Sequence, residues 1–270
     1  MRSLWKGFLG FGLVSIPVKL YVATEKKDLK FRYLHQECMT PVQYQKRCPT
    51  CNKDLESNEI VYGYEYQKGR FVVLNEEDFA RIPLESTRSV DILNFVDIKQ
   101  VDPLYFDKSY YLEPGDGGAK AYSLLMQAME ATGKVAIARV VIRTKETLAA
   151  VRVKDKVLVM ETMFYPDEVR SYAGLSLPGE NVKVHENETK MAISLIENLS
   201  TDFEPDQYQN RYRQALREMI EAKIAGEEVE VSPQAPAANV VDLMDALKQS
   251  VKMAEKERKK TRPKKAKAGT

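Results

Sequence analysis

His35-Gln-Glu-Cys38 and Cys48-Pro-Thr-Cys51 place four metal-ligating side chains within seventeen residues, as two ligand-x-x-ligand turns nine residues apart. All three cysteines of the chain lie in this run, with one of its two histidines. A tetrahedral zinc ion takes such a set: each x-x spacing lets two side chains of one tight turn reach the same metal, and a short hairpin brings the turns together. Pro49 beside Cys48 and Asn52 after Cys51 suit a turn of that kind. Four protein ligands close the coordination shell, so His35, Cys38, Cys48 and Cys51 are expected to hold a structural zinc; a catalytic zinc keeps a position open. Spacing does not separate zinc from iron. The plainer alternative is three ordinary buried cysteines, with His35 on an exposed loop.

Other chemistry is sparse. With His35 and His185 the only histidines, no Ser/His/Asp arrangement stands out. Neither a GxxxxGK[ST] loop nor a GxGxxG fingerprint occurs. Glu59, Glu65 and Glu161 are the carboxylates a metal-dependent nuclease would draw on, but they are scattered without metal spacing, so no enzyme is expected. The odd cysteine count and the lack of a signal peptide point away from disulfides and toward a cytosolic protein. No apolar run approaches membrane-span length, and no membrane role is expected.

The net charge of +2 conceals a segregated distribution. Residues 1–60 carry ten basic and six acidic side chains, whereas residues 248–270 carry ten and two. The chain is thus a mildly acidic body with a basic tail, and such tails usually meet a polyanion, most often nucleic acid. A solvated solubility tail is the alternative.

The elements that position these groups read as follows. Leu13–Tyr21, Phe31–His35, Gln43–Arg47, Ile60–Tyr66, Arg70–Leu74, Ser89–Ile98, Ser109–Glu113, Val135–Arg143, Leu148–Val153 and Val157–Phe164 are predicted strands. Gly69 turns the fourth into the fifth. So many strands at close intervals predict a closed or nearly closed antiparallel barrel. Asn75 is placed to cap a short helix. Helices are predicted over Ala119–Ala131, Glu186–Leu199 and Asp206–Ala225, the first and last ended by Gly133 and Gly226. Residues 227–238 read as a flexible linker. Beyond it Val240, Leu243, Met244, Leu247 and Val251 share a helical face, which runs into a stretch from Lys256 too charged to fold alone.

The opening stretch, Trp5-Lys-Gly-Phe-Leu-Gly-Phe-Gly-Leu-Val-Ser-Ile-Pro-Val-Lys-Leu-Tyr21, closely resembles the start of the prokaryotic Ku family. Phe31–His35, Arg47-Cys48-Pro49, Glu59–Tyr66, Val72–Leu74 and Glu161–Tyr165 resemble the same family in the same order, over roughly residues 1–225. The resemblance implies a mixed, mainly β protein: a Ku-type β-barrel core over 1–185 with a zinc-ribbon-like hairpin at about 29–60, a helical arm at 186–226, the linker at 227–238, and an amphipathic helix with a basic tail at 239–270. It implies a homodimer forming a ring around ends of double-stranded DNA, without sequence specificity, for non-homologous end joining. It further implies recruitment of the multi-domain bacterial DNA ligase and work on the nucleoid in the cytoplasm. Tyr62 departs from the pattern, which has a lysine before Gly63, so no phosphate contact is assigned there.

A ring that loads on any broken end reads phosphate geometry, and positive charge on its lining supplies the affinity. Lys30, Arg32, Lys46, Arg47 and Lys53 are the first candidates for that lining. Arg143, Lys145, Arg152, Lys154 and Lys156 of the strand meander come second, and Arg258, Lys259, Lys260, Arg262, Lys264 and Lys265 extend the contact from the tail. The stripes of the two arm helices fit either a cover for the chain's own barrel or an arm around the partner subunit. Val240, Leu243, Met244 and Leu247 are the candidate ligase-docking stripe, an amphipathic cap on the body being the alternative. The chief rival overall is a non-ring zinc-ribbon nucleic-acid-binding protein of transcription or RNA metabolism.

Overall fold

A computed structural model describes residues 1–81, 88–142, 145–179, 182–226 and 243–261. Arg143, Val240, Arg262, Lys264, Lys265 and the linker 227–238 lie outside the described residues. The chain divides into two compact units, Met1–Tyr172 and Ala173–Thr270.

The first unit is built on a closed barrel of seven strands. Trp5–Phe11 (β1) and Val14–Val22 (β2) form a hairpin whose turn needs Gly12, at φ 59°. The chain then leaves the barrel and returns as Ser89–Asp97 (β7), Phe106–Pro114 (β8), Lys134–Ile142 (β9), Lys145–Lys154 (β10) and Val157–Met163 (β11). The strand order is β1-β2-β8-β11-β10-β9-β7. Closure corrects the expectation of an antiparallel barrel, because β1 pairs parallel with β7, Leu9 opposite Val90. Parallel neighbours need a long crossover, and the excursion between β2 and β7 supplies one.

Alternation decides what faces inward. Leu9, Ile16, Leu20, Leu112, Leu158 and Met160 are fully buried. The helix Ala119–Thr132 (α2) adds Tyr122, Leu125 and Met129 to the same core. Gly118 precedes it because a Cβ there would stand 2.9 Å from the Pro17 ring, and Gly133 ends it at φ 64°. The buried Tyr122 hydroxyl donates to the Leu112 carbonyl at 2.8 Å and accepts from the Leu158 amide at 2.7 Å, tying α2 to β8 and β11. Tyr122→Phe strands both backbone groups in the core, and a loss of about 2 kcal/mol in denaturant unfolding is the expected result.

The excursion carries Arg47–Cys48 (β3) paired with Lys53–Asp54 (β4), Tyr62–Gln67 (β5) paired with Arg70–Leu74 (β6), and the short helix Glu76–Ala80 (α1). Asn75 caps α1 by accepting from the Asp78 amide at 3.0 Å, as its sequence foretold. The strands expected at Phe31–His35 and Gln43–Arg47 reduce to a single bridge, Leu34 to Pro41, and to β3. From Thr24 to Phe79 no described residue is buried. Phe31, Tyr33, Tyr44, Tyr62, Tyr64 and Phe71 are each at least 60% exposed. The two strands expected at Ile60–Tyr66 and Arg70–Leu74 form as the β5–β6 hairpin, and both of its faces meet solvent.

The second unit contains Glu186–Leu199 (α3), Arg211–Ala225 (α4) and Leu243–Thr261 (α5). α4 starts later than the expected Asp206, because Asn210 caps it by accepting from the Arg213 amide at 2.8 Å, while Pro205–Gln207 make a separate 3-10 turn. α5 packs against α3 and stays helical to Thr261. The charged residues from Lys256 to Thr261 continue this helix and do not fold alone: Lys, Arg and Glu are good helix formers and propagate a helix already begun. α3 and α4 bury no residue. Among the described residues no helix is long and apolar enough to cross a membrane.

Candidate metal knuckles and nucleic-acid interface

Both knuckles form as turns. In the first, the His35 carbonyl accepts from the Met39 amide at 2.8 Å and the His35 amide donates to Thr40 at 2.9 Å. Met39 takes φ 54° to allow it. His35 Nδ1 then lies 3.1 Å from Cys38 Sγ. In the second, the Cys48 carbonyl accepts from the Asn52 amide at 2.9 Å, with Asn52 at φ 54°. The Cys51 amide points at Cys48 Sγ from 3.5 Å.

These contacts prepare thiolates. Hydrogen bonds from Thr40 and from His35 hold the Cys38 thiol down to about 7. The Cys51 amide lowers the Cys48 thiol, and Cys48 in turn raises that of Cys51. The thiolate is the form that ligates metal. A Cys3His donor set suits zinc. The geometry presents it as two halves, His35 with Cys38 and Cys48 with Cys51; among the described residues no group of three or more His, Cys, Asp or Glu side chains comes together at one point.

The cations of the excursion differ in their freedom. Lys30, Arg32 and Lys46 are exposed and pair with no acidic group among the described residues. Arg47 donates to the Asn52 carbonyl at 3.1 Å and lies 4.0 Å from Asp54, and Lys53 is held by Glu59 at 2.6 Å. On the meander, Arg152 grips Glu161 through two bonds of 2.7 and 3.2 Å against the barrel wall. Lys145 pairs with Glu168 at 3.3 Å and Lys154 with Asp155 at 3.4 Å, while Lys156 is exposed in the β10–β11 turn. Arg258, Lys259 and Lys260 sit in the last turns of α5. Leu243 opens α5; Met244 and Leu247 are half-buried on it.

One set of cations escaped the sequence reading. Lys6 of β1 lies directly opposite Lys19 of β2 on the outer face of the barrel, with Arg88 just before β7. The glycine-rich run Trp5–Phe11 hid β1, and with it the register that puts the two lysines side by side.

The family model for the Ku70/Ku80 beta-barrel domain matches residues 10–191. The chain belongs to the Ku family. Its relatives include the non-homologous end joining protein Ku of Symbiobacterium thermophilum, 55% identical over 96% of this chain and 64% of that protein. The protein of that name from Heliobacterium modesticaldum is 47% identical over 96% of this chain and 95% of the relative. The Bacillus subtilis one is 45% identical over 93% and 82%. This chain therefore spans a little under two thirds of the Symbiobacterium protein and nearly all of the Heliobacterium one. The Ku match begins at the end of β1 and covers the other six barrel strands, and with them the excursion between β2 and β7.

Proposed function

We propose that this chain binds ends of double-stranded DNA as a homodimeric ring, without reading sequence, and serves non-homologous end joining as a scaffold and not as an enzyme. The observation that carries the reading is the excursion between β2 and β7. A segment rich in Tyr, Phe and Val whose described residues from Thr24 to Phe79 include no buried one is not a domain in its own right. Exposed apolar surface on this scale marks an interface. Its natural occupant is the same segment of a second copy, since a two-fold contact joins like to like. Two such excursions over two barrels enclose a channel, and a channel admits duplex only where the duplex stops.

Phosphate affinity in this account comes from the excursion cations. Lys30→Gln with Lys46→Gln is expected to lower the salt slope of duplex binding by about two units, because each phosphate contact releases about one counterion. Arg152→Gln is expected to leave the slope alone, since Glu161 already holds that guanidinium. An unchanged slope in the double variant counts against the lining.

The same account gives His35, Cys38, Cys48 and Cys51 a structural zinc, which closes the two knuckles on each other and stiffens an excursion that has no core. The basic end of α5 and the residues beyond it add a second, weak DNA contact. The multi-domain bacterial end-joining ligase docks on the second unit, around Val240, Leu243, Met244 and Leu247. The work is placed at the nucleoid, in the cytoplasm.

A further inference from the structure

A concavity of 260 Å³ on the outer face of the barrel is lined by Phe8, Pro17, Lys6, Lys19, Arg88 and Gly115, among others. The β1–β2 register explains its composition. Trp5, Gly7 and Leu9 face inward with Leu20, Val18 and Ile16, so Lys6 with Lys19 and Phe8 with Pro17 form successive outward rows. Phe8 is also opposite Ser89 of β7, which brings Arg88 to its other side. Phe8 is 48% exposed. Lys19 is held by Glu113 at 3.3 Å, whereas Lys6 and Arg88 have no acidic partner among the described residues.

Two features of this patch oppose stability. Like charges directly across an antiparallel pair repel, and an aromatic ring left in water forgoes burial. A duplex contact explains only the first, because the phosphate backbone offers no base face to a ring. An unpaired strand offers both a stacking face and phosphates on either side of it. A concavity of 260 Å³ is too small to seat a double helix.

The geometry points to a single-strand site: Phe8 stacks one unpaired base, and Lys6 and Arg88, which no acidic group holds among the described residues, take the flanking phosphates, while Lys19 stays with Glu113. This deepens the end-binding reading and rests on it for the source of the strand, the overhang or frayed tip of a broken duplex.

The test uses the full chain and fluorescence anisotropy with three probes: a blunt duplex, the same duplex with a single-stranded overhang, and a short oligothymidylate alone. The wild type is expected to bind the overhang duplex about tenfold more tightly than the blunt one, a gain in the range of one stacked base. Phe8→Ala and Phe8→Leu remove that gain and weaken the oligothymidylate, Phe8→Tyr keeps both, and blunt binding is unchanged throughout. Lys6→Gln with Arg88→Gln lowers overhang and oligothymidylate binding together. An overhang that adds nothing, or variants that weaken blunt and overhang probes alike, overturns the proposal. Wild type that ignores the blunt duplex refutes the end-binding reading instead, and the response of the oligothymidylate to Phe8→Leu then decides this one.

Discussion

Tyr64→Asp with Phe71→Asp is expected to give a folded monomer that no longer holds linear duplex. Both side chains lie on the β5–β6 hairpin, 64% and 60% exposed. Neither touches the barrel core, so each replacement costs the single chain little, within the range of ordinary surface changes. In the proposed two-fold interface, which covers both faces of the hairpin, these side chains are buried aromatic anchors, each worth about 2 kcal/mol or more, and aspartate there is a buried unpaired charge. Two such losses raise the dimer dissociation constant about a thousandfold or more. Light scattering across a concentration series gives the mass, and the thermal transition of the barrel shows that the chain still folds. A dimer that survives both substitutions removes the hairpin from the interface.

Removal of metal is expected to have the next largest effect. The native protein should carry one zinc per chain by elemental analysis, and Cys48→Ser should carry none. The knuckle segment buries no residue, so only the hydrogen bonds of its turns, the short β3–β4 pair and metal coordination are available to hold it rigid. Loss of the metal should lower end affinity on the order of tenfold or more and leave the barrel transition in place. Metal affinity should also fall as pH falls, since each ligand sheds a proton to bind and the Cys38 thiol, held down to about 7, is protonated in that window. Undiminished end binding by metal-free protein contradicts a mechanical role for the site.

The fold was legible where a side chain or a turn declared itself. Gly69 turns the β5–β6 hairpin at φ 78°, and Asn75 caps α1 as its neighbours required. Glu186–Leu199 is helical over its whole expected length. Three features were not legible. Strand β1 reads as glycine-rich turn until Gly12 is seen to fold it back on β2. The parallel β1–β7 contact joins segments separated by the whole excursion, and local pattern holds no trace of such a pairing. The exposure of both faces of β5 and β6 is set by where the hairpin stands in the fold, which local periodicity does not specify. Candidate site residues show the same division. Spacing alone found the His35–Cys38 and Cys48–Cys51 pairs, which the fold forms as turns. Spacing did not reveal that Arg152 is committed to Glu161, or that Lys6 stands beside Lys19. Both are consequences of strand register, which is fixed only when the sheet is assembled.

The central claim is that topology, and not base sequence, selects the substrate. It is tested most directly by measuring binding to one duplex in two forms at equal salt, open at both ends and covalently closed into a circle of the same sequence. The account expects retention on the open form, its loss on the circle, and its return when the circle is cut once. Equal affinity for the open and closed forms contradicts a ring and leaves the protein an ordinary binder of the phosphate backbone.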